Sequence, residues 1–343
     1  NPFYVGRIME MVETALFFME ESSQENLDYM HKEWFMETVF SEVRQVLEAQ
    51  FGKIEDKVLS TAFILHKNGR TSYKCPLMED ASERIEKIRR KPQPIQRTKE
   101  WYEYRHKLIT ASSAYKALGT DAKIRELVRN KKEPCVIHQG TCVEGPMHWG
   151  VKYEAVSVQY YEYVNKTKVE EFGCITHDTH LFLGASPDGI NVLETSPLYG
   201  RMLEVKNPFT REITGNPKEE YWVQCQLQME VCDLNACDFL ETKFVEYETE
   251  EAFLEDGNFQ VTRQGEYKGM ILQFFTDKVM YEYAPFQCTE EEYKEWENHK
   301  MDGRTWVRTI YWKLEEVSCV LILRQPKWFE AVLPLFQSVI QLI

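Results

Sequence analysis

Three residues within a short span of this chain could together act on a phosphodiester. Asp188 stands in Ser186-Pro187-Asp188-Gly189, and Glu204 and Lys206 stand in Leu203-Glu204-Val205-Lys206. Side chains alternate along a strand, so Glu204 and Lys206 share one face while Leu203 and Val205 share the other. The apolar pair can enter a core and the charged pair can face a cleft. Pro187-Asp188-Gly189 is a turn signal, and an adjoining strand can bring Asp188 beside Glu204. Two hard carboxylate oxygens, water and a substrate phosphate make an ordinary magnesium site. The ion lowers the pKa of bound water and offsets transition-state charge. A neighbouring lysine can orient or deprotonate the attacking water, or stabilise the charge. Alone this is a weak signal, because Glu-x-Lys is common in exposed strands and Asp-Gly in turns.

Several elements must hold these residues in place. The spacing predicts a helix over 147–164, with Glu154 on its apolar stripe of Val151, Ala155 and Val158. An acid facing inward is costly unless it is paired or binds metal, which makes Glu154 a candidate third carboxylate. Strands are expected at 172–175 and 181–184 around a turn at 177–180, and again at 190–193 and 201–206. A helix over 219–232 carries Gln224, Gln226 and Gln228, and a strand over 239–247 follows it. Later come strands at 269–275 and 279–283, a charged helix at 289–299 and an apolar helix at 326–342. Upstream, Thr98 can cap a short helix bearing Trp101 and Arg105. Ser112 or Ser113 can cap a helix over 114–118, with Gly119 ending it in a left-handed conformation, and another helix runs over 122–132.

Apolar faces such as Ile8, Val12, Leu16 and Met19, or Met36, Val39, Phe40, Val43 and Leu47, make residues 1–66 a helical lobe. Residues 82–97 read as a connector, basic at Lys87, Arg89, Arg90 and Lys91 and extended at Pro92 and Pro94. The expected organisation is an N-terminal helical region with its connector over 1–97 and a second unit over 98–343. The fold class is α/β: a central mixed sheet flanked by helices, with the site at its edge.

The chain has 343 residues, 43% of them hydrophobic and 28% charged, which suits a soluble globular protein with a core of normal size. No apolar run approaches the ~20 residues that span a bilayer, and no basic start followed by an apolar block marks a secretory signal. The expectation is a soluble intracellular protein. Nine cysteines, an odd number without a repeating framework, suit a reducing compartment. Cys135, His138, Cys142 and His148 cluster in sequence but lack the paired spacing of a zinc site. A net charge of −14 disfavours a DNA coat protein, since phosphate affinity comes from Lys and Arg. It leaves room for an enzyme with a basic channel and an acidic exterior.

What makes the set specific is its order. Trp101-x3-Arg105-x3-Ile109-Thr110-Ala111-Ser112, Trp149-Gly150-x2-Tyr153-Glu154, Ser186-Pro187-Asp188-Gly189, Glu204-Val205-Lys206-x-Pro208 and Gln224-x-Gln226 follow one another across residues 98–247. In this the chain resembles the PD-(D/E)XK nuclease superfamily, and within it the YqaJ-type viral recombinase, or phage lambda exonuclease, family. The resemblance implies a restriction-endonuclease-like fold. It implies Mg²⁺, with Mn²⁺ as a substitute, on Asp188, Glu204 and the Val205 carbonyl, with Glu154 completing the acidic cluster. Lys206 would be the catalytic lysine, and Gln224 and Gln226 would line the site, Gln224 foremost. Arg105, Ser112 and Ser186 match residues that hold a terminal 5′-phosphate, and Arg211 comes near a further family arginine but is out of step by one residue.

The implied activity is 5′→3′ degradation of linear double-stranded DNA in viral or mobile-element recombination or replication. The 3′ single strands would pass to a single-strand annealing protein. The implied assembly is a ring-shaped homotrimer, to which residues 1–97 would be an addition. The setting would be the host cytoplasm or nucleus. Two other readings stand beside it: an endonuclease of the same superfamily acting on DNA or RNA, and a non-catalytic DNA-binding or scaffold module.

Overall fold

A computed structural model of the chain describes residues 79–135, 145–276, 278–301 and 304–343, together with Arg44. The helices expected over 1–66 therefore lie, Arg44 apart, outside the described residues. The architecture is mixed α/β, as the sequence implies. The elements are α1 (Glu79–Arg90), α2 (Lys99–His106), β1 (Ile109–Thr110), α3 (Ala111–Ala117), α4 (Asp121–Lys132) and α5 (Pro146–Asn165). Then come β2 (Val169–Glu170), β3 (Ile175–Thr176), β4 (Leu183–Ala185), β5 (Gly189–Asn191), β6 (Met202–Lys206) and α6 (Glu219–Cys232). The rest are β7 (Ala236–Glu246), α7 (Glu250–Glu255), β8 (Lys268–Phe275), β9 (Val279–Tyr283), α8 (Glu290–Met301), β10 (Thr305–Leu323) and α9 (Pro326–Ile340).

Seven of these strands form one mixed sheet in the order β2-β5-β6-β7-β10-β8-β9. β6 and β7 run parallel, with Lys206 opposite Glu241, and α6 makes the crossover between them. The 19-residue β10 pairs with β7 along one part and with β8 along the other. No strand is expected there from the sequence, although β-branched and aromatic residues dominate Thr305–Leu323; its charged midpoint at Lys313, Glu315 and Glu316 breaks the apolar alternation. β1, β4 and β3 form a small second sheet, with β1 parallel to β4.

The sheet's two faces explain the mixed sequence of β6. Leu203 and Val205 pack with Tyr161 of α5 and with Leu240, while Met202 joins the cluster formed with α6. Glu204 is therefore only 1% exposed: α6 roofs the face that the sequence pattern alone left open. Gly189, beside Asp188, is required by close approach, because a Cβ there would meet Val169 Cγ1 at 2.0 Å.

Four local expectations are corrected. Residues 82–97, expected as a connector, include the end of a packed helix: α1 buries Ile85 and Ile88 in the main core, each worth roughly 1.5–3 kcal/mol. The extended piece that follows is tied down by Gln93, whose Oε1 accepts from the Gly173 amide at 2.7 Å. Helix α3 starts earlier than expected, with Thr110 rather than Ser112 or Ser113 at its N-cap. Thr110 and Ser113 form a reciprocal box there, which leaves Ser112 available for other partners. Gly119 is not left-handed; the helix ends at Leu118 with φ −95°. On α5 the buried stripe is Tyr153, Val156 and Tyr161, not Val151, which is exposed.

Candidate active site

The small sheet and the large one meet at a cleft of about 150 Å³. Asp188, Glu204, Lys206, Gln224 and Gln228 line one part of it, and Trp101, Arg105, Ser112 and Ser186 another. Local folding explains the meeting. Asp188 ends the turn between β4 and β5, and β5 pairs with β6 so that Gly189 lies opposite Leu203. The Val205 amide then donates to Asp188 Oδ2 at 2.7 Å. The parallel pairing of β1 with β4 brings Ser112, just past β1, to the same end as Ser186, just past β4.

Glu204 is held from three sides. Its Oε1 accepts from Lys206 and, at 2.6 Å, from Gln224 Nε2, and its Oε2 accepts from Gln228 Nε2 at 2.6 Å. Gln224 and Gln228 are one turn apart on α6 and so face the same way. Gln226 is not brought to the site. It lies on the other side of α6, donates to the Leu323 carbonyl at 2.8 Å and accepts from the Gln325 amide at 2.7 Å. Gln228 is the residue that i, i+4 spacing could have identified.

Glu154 sits close enough for its charge to act on Asp188, but both of its oxygens accept from Arg97 Nη2, at 2.7 and 2.6 Å. Arg97 was not singled out in the sequence; nothing but its place before the Thr98 cap and Trp101 marks it.

The electrostatics follow from this crowding. Burial, then the Glu204 and Glu154 carboxylates, push the Asp188 carboxyl well above its ordinary range; Lys206 and the Val205 amide oppose this. Burial raises Glu154 as well, against the pull of Arg97. Burial works against the Lys206 ammonium, but Glu204 and Asp188 outweigh it and hold its pKa above the usual lysine value.

Hard carboxylate oxygens in mutual repulsion, with Asp188 Oδ1 making no hydrogen bond among the described residues, are a donor set that suits a divalent cation. Asp188, Glu204 and the Val205 carbonyl are the groups that would hold it. Among the described residues no three His, Cys, Asp or Glu side chains form a ready-made ion cage. His148 bonds the Tyr281 hydroxyl at 2.5 Å, and His138 and Cys142 lie outside the described residues.

The other part of the cleft is cationic. Arg105 Nη2 donates to Ser112 Oγ at 2.7 Å, and its guanidinium lies 4.0 Å over the Trp101 ring. Trp101 Nε1 in turn donates to Ser186 Oγ at 3.1 Å. No carboxylate among the described residues is in ion-pair reach of Arg105, and burial lowers its pKa. Lys131 lies behind it, donating to the Arg105 carbonyl at 2.9 Å; burial and the Arg105 charge lower its pKa to about 8. Arg211 is not in the cleft. It pairs with the buried Glu241 on β7, next to Lys206, with which it shares the Tyr221 ring.

Residues 100–235 match the family model of the YqaJ-like viral recombinase domain. A protein of Acanthamoeba polyphaga mimivirus, uncharacterized protein R354, is 29% identical over 358 residues, covering 88% of this chain. The chain spans 63% of that relative's length. Among solved structures, an alkaline exonuclease from Laribacter hongkongensis is similar at a TM-score of 0.43 and 19% identity, over 71% of this chain and 91% of that one. A phage related exonuclease from Haemophilus somnus 129PT is similar at a TM-score of 0.39 and 11% identity, over 70% and 95%. Among the described residues no helix is long and apolar enough to cross a membrane.

Proposed function

We propose, for a chain whose residues 100–235 form a YqaJ-like viral recombinase domain, that it is a magnesium-dependent nuclease degrading linear double-stranded DNA 5′→3′ from phosphorylated ends. One observation carries this reading. The carboxylate–lysine set and the acid-free Arg105–Ser112–Ser186 pocket line the same cleft. A site that cuts phosphodiesters thus adjoins one that suits a terminal phosphate, through charge-assisted bonds from guanidinium and hydroxyl donors.

The residues divide the work by position. Asp188 and Glu204, with the Val205 carbonyl, are the metal ligands, Glu154 completes the acidic cluster around the metal, and Gln224 and Gln228 fix the orientation of Glu204. Bound Mg²⁺ supplies Lewis acidity and a water of lowered pKa. Lys206, held above its ordinary pKa, stays an ammonium at neutral pH in the metal-free protein. Beside the metal its ammonium can stabilise charge on the phosphoryl oxygens and orient the attacking water. Arg105, Ser112 and Ser186 hold the 5′-phosphate. The 3′ single strands suit a single-strand annealing partner, and a ring-shaped homotrimer is the assembly that the resemblance implies.

Linear and closed circular duplexes, incubated with the wild type, Glu204→Gln and Lys206→Ala, test the reading. The expected result is metal-dependent loss of linear DNA alone, with each variant slowed at least about a hundredfold. Nicking of circles would replace it with an endonuclease. Binding without cleavage by all three proteins would replace it with a scaffold module.

A further inference from the structure

Arg97 stands where the acidic cluster meets the end pocket. It lines the cleft together with Arg105, Asp188 and Lys206. Its backbone is left-handed at φ 65°, a region that side-chain-bearing residues rarely adopt and that marks local strain. The neighbours enforce it. On one side Gln96 Nε2 donates to the Phe172 carbonyl at 2.9 Å and to the Pro187 carbonyl at 3.1 Å, fixing the chain against the turn that carries Asp188. On the other, Thr98 caps the helix that carries Trp101 and Arg105. The strained residue is thereby pinned between the two halves of the cleft.

Its side chain is only partly used. A single nitrogen, Nη2, serves both oxygens of Glu154, while Nε and Nη1 make no hydrogen bond among the described residues. The Arg97 side chain remains 42% exposed, against 25% for Glu154. A guanidinium offers five donors in a planar fork suited to phosphate.

We infer that Arg97 is an exchangeable counter-ion. It neutralises Glu154 while the cluster is metal-free, gives that carboxylate up on metal loading, and turns its donors to a non-bridging oxygen of the scissile phosphate. This rests on the nuclease reading above. It explains why a third carboxylate tolerates a place beside Asp188 and Glu204 before any divalent cation arrives, and why a strained backbone is kept at this position. It also predicts opposite signs for two properties of one variant, which a purely structural arginine does not.

Two measurements on the full chain decide it. Mn²⁺ is titrated calorimetrically into DNA-free wild type, Arg97→Gln and Arg97→Lys, and single-turnover cleavage of a 5′-phosphorylated duplex is followed at saturating Mg²⁺. Removing the competing charge in Arg97→Gln tightens Mn²⁺ binding about tenfold, while cleavage slows about a hundredfold through loss of the clamp. Arg97→Lys keeps wild-type Mn²⁺ affinity and cleaves at an intermediate rate. Weaker or unchanged Mn²⁺ binding in a folded Arg97→Gln would overturn the exchange, as would cleavage at the wild-type rate. Should Arg97→Gln fail to fold, loss of Mn²⁺ affinity in Arg97→Lys would overturn it instead. A wild type that binds Mn²⁺ but cuts no DNA would sink the nuclease reading, and the titration would still decide whether Arg97 competes with metal at Glu154.

Discussion

The Val205 amide donates to the Asp188 carboxylate at 2.7 Å, so the strand bearing Glu204 and Lys206 also fixes the acid of the preceding turn. The acid held there is under electrostatic load. Burial first, and the Glu204 and Glu154 carboxylates second, raise its pKa. A carboxyl raised in the folded state contributes stability that is complete below its unfolded pKa of about 3.9 and is lost as pH rises through the folded value. Asp188→Asn removes that loss. The metal-free variant should be more stable than wild type at neutral pH by about 1–2 kcal/mol, as with other substitutions that relieve a strained active site. The gap should close near pH 4, about where an unperturbed aspartate titrates, and Mg²⁺ should stabilise only the wild type. Urea unfolding at both pH values, with and without Mg²⁺, checks this; a variant less stable at neutral pH would count against it.

The glutamines of α6 offer a sharper dissection. Gln224→Ala and Gln228→Ala each leave one oxygen of Glu204 without its amide donor. Each should lower metal affinity or kcat by about 10- to 100-fold, the usual effect of losing a residue that orients a ligand. Gln226→Ala removes two buried hydrogen bonds to the segment entering α9. It should cost about 1–3 kcal/mol of stability and leave kcat intact. Denaturation midpoints and single-turnover rates on the three variants would separate the two outcomes.

These glutamines also show how far the sequence could be read. Asp188, Glu204 and Lys206 were legible from strand alternation and turn chemistry, which are local, while Arg105, Ser112 and Ser186 were legible only through the family resemblance; the structure brings all six to one cleft. Gln228 carried no role in the sequence because the Gln-x-Gln motif joins positions i and i+2, whereas a helix presents i and i+4 on one face. Arg97 and the Arg211–Glu241 pair depend on contacts across 57 and 30 residues of sequence, which no local pattern encodes. The packing of α1 was hidden for a different reason. Its basic last turn dominates the sequence, while Ile85 and Ile88 reach the core. Strand β10 was within reach, and its charged midpoint concealed it.

The end pocket makes a pH prediction. Lys131, lowered to about 8 by burial and by Arg105, supports the positive potential of the pocket until it loses its proton. The preference for 5′-phosphate over 5′-hydroxyl ends should therefore narrow as pH rises through about 8. Lys131→Met should flatten that dependence, and Arg105→Met should abolish the preference at every pH. Competition between the two end types from pH 6.5 to 9.5, roughly bracketing the lysine's transition, would reveal a flat wild-type profile if Lys131 plays no part.

Helix α4 presents Arg125, Arg129 and Lys132 at helical spacing, all exposed and without a carboxylate partner among the described residues. In a chain of net charge −14 such a row suits a sugar–phosphate backbone running on from the end pocket. Replacing all three by glutamate should weaken duplex binding uniformly across sequences and flatten its salt dependence by about one log unit per lost phosphate contact. Binding isotherms from low to moderate salt measure both, and an unchanged slope would remove α4 from the DNA path.

The central claim is that the chain cuts inward from a phosphorylated 5′ end under divalent metal. The most direct measurement follows one linear duplex with a 5′-phosphate on one strand and a 5′-hydroxyl on the other, each labelled distinguishably along its length. With Mg²⁺, label should leave the phosphorylated strand first and from its 5′ side, as mononucleotides, and chelation should stop it. Release beginning at 3′ ends, equal loss from both strands, or loss that persists without metal would contradict the account.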